Sequence, residues 1–528
     1  MSTTRYDAIV VGGGHNGLVA AAYLARAGRK VVVLERRPLL GGAAVTEEVL
    51  PGFKFSVFSY VVSLLRPEII RDLELPRHGL QILPLESTVT PLDDGDYLAS
   101  WADADESRRE LCRQSTHDAD AMVLFGRLMH HMAMAVKPIL GMVPPDPSSL
   151  APSDLKGLLR LASHFRSLGA ERFHALHKLM TMSSADFLGE WFEFDALKAT
   201  KSASGIIGTF LGPCSPGSAY VLLHHYMGEI DGAFRAWGFQ KGGTGAISGA
   251  IASAAQAFGA ELRTDVAVER VGVRDGRVTG VALATGEEIA APVVVSGLDP
   301  RRTFTQLVEP KQLPAELVEG VSRYKFRGSS GKVNLALAGL PNFTCLPGVG
   351  PHLRGAFSIS PSLDYLERAY DDAKYGEFSR HPYMDVVIPS MIDPQMAPPG
   401  KHVMSIFVQY APYHLNGGWS DAKREAFGDA VVETLSRYAP NLKSLILHRQ
   451  VLTPADIERI TGLSEGNIFQ GELALQQLFF LRPVPRWAKY RTPISGYWQC
   501  GAGTHPGGGI MGASGRLAAL EILKDGRA

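Results

Sequence analysis

The chain opens on an apolar quartet, Ala8 to Val11, that runs into glycines and then into an Ala/Leu-rich stretch closing at Gly28. A second quartet, Val31 to Leu34, follows at once. Two unbroken apolar runs flanking one helix-length segment predict a βαβ unit. Strands without polar alternation are buried on both faces, so the unit predicts a parallel sheet. Gly28 suits the left-handed residue that ends a helix. Between about residues 100 and 240 the pattern is mostly helical, and Ser153 predicts an N-cap before Leu155, Leu158, Leu159 and Leu161. From Val266 the period changes to two: Val268, Val271 and Val273, a turn at Asp275-Gly276, then Val278, Val281 and Leu283. A second turn at Thr285-Gly286 leads to Ile289 and Val293-Val294-Val295, and the whole predicts a small antiparallel meander. Further strand-like runs cover 333–337, 383–388 and 403–410. A helix with Phe427, Val431, Leu435 and Tyr438 on one face follows. The glycine-dense stretch 501–515 leads into a terminal helix over 516–523.

Length and charge narrow the class. A chain of 528 residues exceeds one ordinary core and predicts two or more domains. Its 53 basic residues balance 53 acidic ones, which argues against nucleic-acid binding, where a basic excess displaces counterions. The four cysteines, Cys112, Cys214, Cys345 and Cys500, form no C-x-x-C pair, so neither a zinc site nor a redox dithiol is expected. The first strand leaves no room for a leader before Tyr6, and no apolar run is long enough to span a bilayer.

The junction between the first strand and helix carries the chemistry. Gly12-x-Gly14-x-x-Gly17 stands where a dinucleotide fingerprint requires it. Gly12 allows the tight turn, Gly14 admits a pyrophosphate to the backbone, and Gly17 permits close helix–sheet packing. The helix N-terminus faces the phosphate charge. Glu35 ends the second strand, where a carboxylate accepts ribose hydroxyls. NAD and FAD both fit this unit. Gly41-Gly42 and the run Cys500–Arg516 add two further stretches of bare backbone, which favours the longer FAD. Arg36 and Arg37 invite a 2′-phosphate, but Glu35 would repel it, so NADP is disfavoured.

With these residues in view, the chain resembles the phytoene desaturase-type FAD-dependent amine-oxidoreductase superfamily. The most specific stretch is G-G-A-A-V-T-E-E-V-L-P-G-F-K-F-S (41–56), with S-L-L-R-P-E-I (63–69) behind it. G-G-T-G-A-I (242–247), V-V-S-G-L-D-P (294–300), G-N-I-F-Q-G-E (466–472), F-F-L-R-P (479–483) and the A-G-T-H-P-G-G-G tail follow in order. The resemblance implies an α/β fold: a glutathione-reductase-like, Rossmann-type FAD domain with an inserted α+β substrate domain carrying a helical cap. The FAD domain would comprise 1–95, 241–300 and 491–528. The cap would span 96–240, and the substrate-domain sheet and helices 301–490. By the same resemblance Gly12, Gly14 and Gly17 lie on the pyrophosphate, with Gly13, Asn16 and Arg36 among the cofactor contacts. Glu35 takes the adenosine ribose, Gly41 and Gly42 run along the dinucleotide, and Val268 meets the adenine through its backbone. Gly503, Thr504, His505 and Gly508 line the flavin.

Carotenoid desaturases and amine oxidases usually carry an arginine after the double glycine. Ala43 and Ala44 stand there, which argues against a carotenoid substrate. No C-x-x-C pair points to disulfide reduction. The expected reaction is hydride transfer from an apolar, isoprenoid or lipid-like small molecule to non-covalent FAD, with oxygen, a quinone or another acceptor reoxidising it. A flavin-dependent isomerase is one alternative. Another, implied by the resemblance, is a flavoprotein regulator or scaffold with a respiratory-chain protein partner. The expected location is a bacterial cytoplasm or the inner face of its membrane, or the mitochondrial matrix side in a eukaryote.

His505 is the candidate catalytic acid or base, set against a purely structural hydrogen bond. Arg482 has two readings, steering an anion or packing on the cofactor loop. His130-His131 and His224-His225 are rejected as metal ligands, because adjacent helical side chains diverge. Lys156, Arg160, Arg166, Arg172 and Lys178 interleave with leucines and phenylalanines against a single acid, Glu171. That pattern fits a peripheral membrane contact or the solvated face of a cap. Met122, Met129, Met132, Met134 and Met142 fit an apolar pocket or core filling.

Overall fold

In the computed structural model, which describes residues 6–230, 232–234 and 236–526, the apolar quartets become the middle of one sheet. Its five parallel strands run in the order Glu261–Arg263, Val31–Leu34, Ala8–Val11, Val293–Ser296 and Tyr497–Gln499. Every residue of the three central strands is buried, as unalternating apolar strands require. The strands come from three stretches far apart in the chain, so the sheet closes only when both ends of the molecule meet.

On one side of this sheet the helix His15–Arg26 packs between Thr244–Ala257 and Ala513–Asp525. The contact surfaces are mostly small: Ala20, Ala21, Ala22, Ala254, Ala255, Ala518 and Ala519 are all fully buried. Small residues let the backbones approach, and a β-carbon on Gly515 would lie 2.1 Å from the Asn16 carbonyl oxygen. The opposite side is covered by the meander, by the helices Pro300–Thr305 and Ala315–Ser322, and by Val484 and Ile494.

A second, seven-stranded sheet runs Ile446–Leu452, Ser330–Leu337, His402–Gln409, Tyr383–Val387, Ala356–Ile359, Ser87–Pro91 and Tyr97–Trp101. A helical cap includes Thr116–Leu140, Pro152–Ser167, Gly169–Thr181 and Ser218–Tyr226, and Leu98 of the edge strand packs into its core. Its core gathers Phe125, Phe187, Phe192 and Tyr226 around Met129 and Met132.

Five expectations are corrected. Val293–Ser296 does not extend the meander; it pairs in parallel with Ala8–Val11, because a wholly apolar strand needs cover on both faces. The boundary expected at residue 95 falls inside the hairpin Ser87–Pro91/Tyr97–Trp101, and both strands belong to the seven-stranded sheet. Residues 301–322, expected with the substrate domain, bury Phe304, Leu317 and Val321 against the parallel sheet. Ser153 does not cap its helix, which starts at Pro152 behind Ala151 with no side-chain cap; the preset φ of proline favours that position. The terminal helix also begins at Ala513, three residues earlier than expected.

Candidate functional site

A cleft opens at the carboxyl ends of the parallel strands, the place where open α/β sheets bind ligands. Gly12, Gly14, Asn16 and Gly17 line it at one point, Glu35, Gly41 and Gly42 beside them, and Gly508, Gly509 and Ile510 farther on. The glycines do different work. Gly12 has φ +94°, a left-handed turn that a side chain would strain. A β-carbon on Gly17 would sit 2.3 Å from the Gly12 carbonyl oxygen, so this glycine lets the helix dock under the turn. A β-carbon on Gly14 would meet nothing within 4 Å. Gly14 is also the N-cap of the helix, in ordinary extended geometry at φ −67°, and its side-chain position faces open space.

The acid at the second strand's end is held in place. The Gly13 N–H donates to Glu35 Oε2 at 2.7 Å and the Arg37 N–H to Oε1 at 2.9 Å, with the side chain 7% exposed. Gly41 N–H donates to the Gly13 carbonyl at 2.8 Å, which closes the double glycine onto the fingerprint loop. Two buried polar atoms at the cleft, His15 Nε2 and Asn16 Oδ1, have no hydrogen-bond partner within the described residues. Burial pushes His15 down to about 4, so its ring is neutral at physiological pH. Unmet buried polar atoms beside an open helix N-terminus fit a ligand that carries phosphate and hydroxyl groups.

Other expected contacts lie off the cleft. Arg36 donates to the Ile460 carbonyl at 2.8 Å and to the Arg459 carbonyl at 3.3 Å, near the end of the helix Pro454–Thr461. Its guanidinium satisfies orphan carbonyls there and is not turned to a ribose. Arg37 pairs with Glu47 at 2.7 Å. Val268 starts the meander and packs with its core, two residues beyond Val266, whose N–H donates to the Glu35 carbonyl. Gly503 and Thr504 are buried against protein, with Pro300 2.3 Å from where a Gly503 β-carbon would stand.

His505 does not reach the cleft. Its Nε2–H donates to the Ile139 carbonyl at 3.0 Å, and its ring packs edge-on against Phe479. Burial pushes it down to about 4, so it is neutral at working pH and faces the cap. The catalytic reading of this residue is corrected to a structural one: the helical cap supplies a carbonyl that only a tertiary contact brings within reach. Arg482 also serves the loop. It is fully buried and donates six hydrogen bonds to the carbonyls of Phe469, Gly471, Glu472, Gln477 and Ala502.

No signal in the sequence marks most of the far wall, where Tyr60, Ile207, His225, Trp237, Phe407, Ile468 and Phe469 line the cleft. Only Phe469 and its neighbours lie in a motif. There Asn467 Oδ1 accepts from the Phe469 and Gly471 N–H groups at 3.0 Å and sets the loop. Of the paired histidines, His225 lines the cleft and donates from Nδ1 to the Val221 carbonyl, while His224 contacts the Gly508 carbonyl. Among the described residues no cluster suited to a metal ion occurs.

Next to the cleft is a chamber of about 470 Å³, and Tyr60, Val61, Ile207 and Trp237 line both. Leu85, Leu98, Trp101, Leu197 and Ile230 make its apolar surface. Its floor carries the carboxyl of Asp385, which accepts from the Tyr60 hydroxyl at 2.8 Å and is raised above the usual carboxylate range by burial. Tyr60 stacks on Phe407 and lies under the amino group of Lys332, a buried lysine whose pKa desolvation lowers strongly. The methionine cluster lines neither space: Met129 and Met132 fill the cap core and Met134 is exposed.

This geometry agrees with the relatives of the chain. The profile of the flavin containing amine oxidoreductase family matches residues 17–523. Pyridine nucleotide-disulfide oxidoreductase domain-containing protein 2 of Rattus norvegicus is 43% identical, over 99% of this chain and 94% of that protein. One subunit of the limonene dehydrogenase of Castellaniella defragrans is 27% identical, over 98% of this chain and 94% of its own length. The structure of cyclohexylamine oxidase from Brevibacterium oxydans superposes with a TM-score of 0.59 at 17% identity, covering 99% of this chain and 100% of that one, a likeness of fold. The chain therefore belongs to the flavin containing amine oxidoreductase family and is an FAD-dependent oxidoreductase.

Proposed function

We propose that this oxidoreductase dehydrogenates a largely apolar, isoprenoid or lipid-like substrate that carries one hydrogen-bonding group. The observation that supports this most directly is the 470 Å³ chamber that shares a wall with the cleft. FAD, when bound, supplies the hydride acceptor. Gly12, Gly13, Gly14, Asn16 and Gly17 would hold its pyrophosphate, with the unmet His15 and Asn16 atoms as further partners. Glu35 would take the ribose, and Gly41, Gly42 and Gly508 would border the dinucleotide. Tyr60, Ile207 and Trp237 would then set the substrate against the cofactor, with the leucines and Trp101 of the chamber taking its apolar part. The Asp385 carboxyl and Tyr60 hydroxyl would orient the polar end of the substrate. The Castellaniella relative, named as a dehydrogenase of limonene, supports the same class.

Anaerobic mixing of the FAD-loaded protein with monoterpenes, longer isoprenoid alcohols and fatty alcohols tests this reading. Bleaching of the flavin by one of these, and its return on adding a quinone or oxygen, is the expected result. Conversion of substrate without bleaching would instead assign an isomerase. Protein that neither bleaches nor turns over with any of them would favour a regulatory or scaffold role beside a respiratory-chain partner.

A further inference from the structure

A third cavity, of about 520 Å³, lies on the outside of the molecule between the end of Thr116–Leu140, the helix Pro152–Ser167 and the terminal helix. Its walls are apolar, with Ile139, Leu161 and Leu517 among them, and its polar groups are mostly cationic: Lys156, Arg160, Arg516 and Lys524, the last paired with Glu521. Among the described residues no carboxylate lines it. Arg516 is engaged with Tyr23 and Asp72, but among the described residues Lys156 and Arg160 make no ion pair.

The helix that carries these two cations is oriented unlike an ordinary cap helix. Of its sixteen residues only Asp154 is buried, held by the Lys489 ammonium. Its leucines point outward: Leu155 is 43% and Leu159 72% exposed, and Leu150 just before it is 85% exposed. At i, i+4 spacing Leu155 and Leu159 form one stripe, and Lys156 and Arg160 form the adjacent one. Phe173 is exposed on the next helix; among the described residues Arg172 beside it makes no ion pair, and Arg166 in the last turn of Pro152–Ser167 makes none either. Seven of the ten exposed large apolar side chains among the described residues fall between Val123 and Phe173. Outward leucines flanked by unpaired cations are what a helix lying in a lipid interface needs, since tails take the leucines and phosphates take the cations.

We infer that the helix Pro152–Ser167, with the cavity beneath it, docks on a membrane surface containing anionic phospholipid. The leucines enter the acyl boundary, and Lys156 and Arg160 hold a headgroup phosphate at the cavity mouth. No helix among the described residues is long and apolar enough to cross a membrane, so this contact is peripheral. The Ile139 carbonyl at the cavity also holds His505, which places the docking face one contact from the glycine loop of the cofactor cleft.

Flotation of the full-length, FAD-loaded protein with vesicles tests the inference. The protein should rise with phosphatidylcholine–phosphatidylglycerol vesicles, rise little with phosphatidylcholine alone, and release partly in high salt. K156E/R160E should bind at least about tenfold more weakly, because two attractive charges become repulsive. L155S/L159S should also weaken binding, and both variants should keep wild-type FAD content and melting temperature, since none of these four side chains is buried in the cap core. K311E/R323E, with the same charge change on a distant exposed surface, should bind as the wild type does. Equal binding by wild type, K156E/R160E and L155S/L159S would overturn the inference, as would equal weakening in K311E/R323E. A dimer in sedimentation velocity that L155S/L159S dissociates, with no vesicle binding by the wild type, would overturn it too and give this face to a second copy.

Discussion

The two glycine-rich loops of this protein look alike in sequence and are used differently. In the N-terminal loop, a β-carbon on Gly14 would enter empty space beside unmet polar atoms. In the C-terminal loop, protein already fills the room that the glycines leave. β-Carbons at Gly501, Gly503, Gly508 and Gly509 would lie 2.3–2.5 Å from Gln470, Pro300, Phe469 and Leu64. The first loop keeps one position, Gly14, open to a ligand while Gly13 and Gly17 pack against Leu40 and the Gly12 carbonyl; the glycines named in the second loop let distant segments pack against it. Glycine density marks close approach, and only the structure tells what approaches.

The sharpest way to break this comparison is inside the first loop. Gly17→Val would drive a side chain into the Gly12 carbonyl, and it should cost several kcal/mol and abolish soluble, folded protein. Circular dichroism of the purified variant checks it, and a native spectrum with normal FAD content would refute the packing role. Gly14→Val should behave differently. Apoprotein melting should stay near wild type, while FAD affinity in a fluorescence titration falls on the order of 100-fold, roughly 2.7 kcal/mol. If both variants misfold, or if Gly14→Val binds FAD normally, the distinction between ligand-facing and packing glycines fails.

A pH titration probes the elements that surround both loops. Burial lowers His15, His225 and His505 to about 4 and His224 to about 3, against 6.5 unfolded. The unfolded chain therefore binds more protons between those values, and folding stability is lost as pH falls through this window. Each histidine contributes on the order of 1–2 kcal/mol between pH 6.5 and 5. Urea midpoints of the apoprotein should drop steeply there and be flat from pH 7 to 8; a flat profile throughout would mean that these rings are solvated.

The smallest expected effect on the flavin belongs to His505→Ala. Losing the bond to Ile139 and the contact with Phe479 should destabilise the fold by about 1–3 kcal/mol. The pH dependence of flavin reduction should not change, because the ring faces away from the cleft. A shifted pH profile at unchanged FAD content would restore the acid–base reading.

Residues 8–35 are legible because every signal there is local. Unalternating apolar quartets, glycines at a strand–helix junction, Gly28 at a helix end and Glu35 at a strand end each follow from periodicity or backbone sterics within a few positions. The meander's turns at Asp275-Gly276 and Thr285-Gly286 read out for the same reason. What lay outside local reach was partnership. Val293–Ser296 follows a meander in sequence yet joins a parallel sheet, and Ser87–Pro91 leaves the first segment for the second sheet. Periodicity reports how many faces a strand buries but not against which strands. The glycine tail placed His505 near the cofactor, but the Ile139 carbonyl, 366 residues away, decided where its ring points. The chamber is the extreme case: Tyr60, Ile207, Trp237 and Asp385 meet only because two sheets and a cap close around them. Amphipathic spacing in Pro152–Ser167 specified a stripe of leucines, and only the tertiary packing turned that stripe outward, because the cap core takes Phe165 from this helix and its other large side chains from elsewhere.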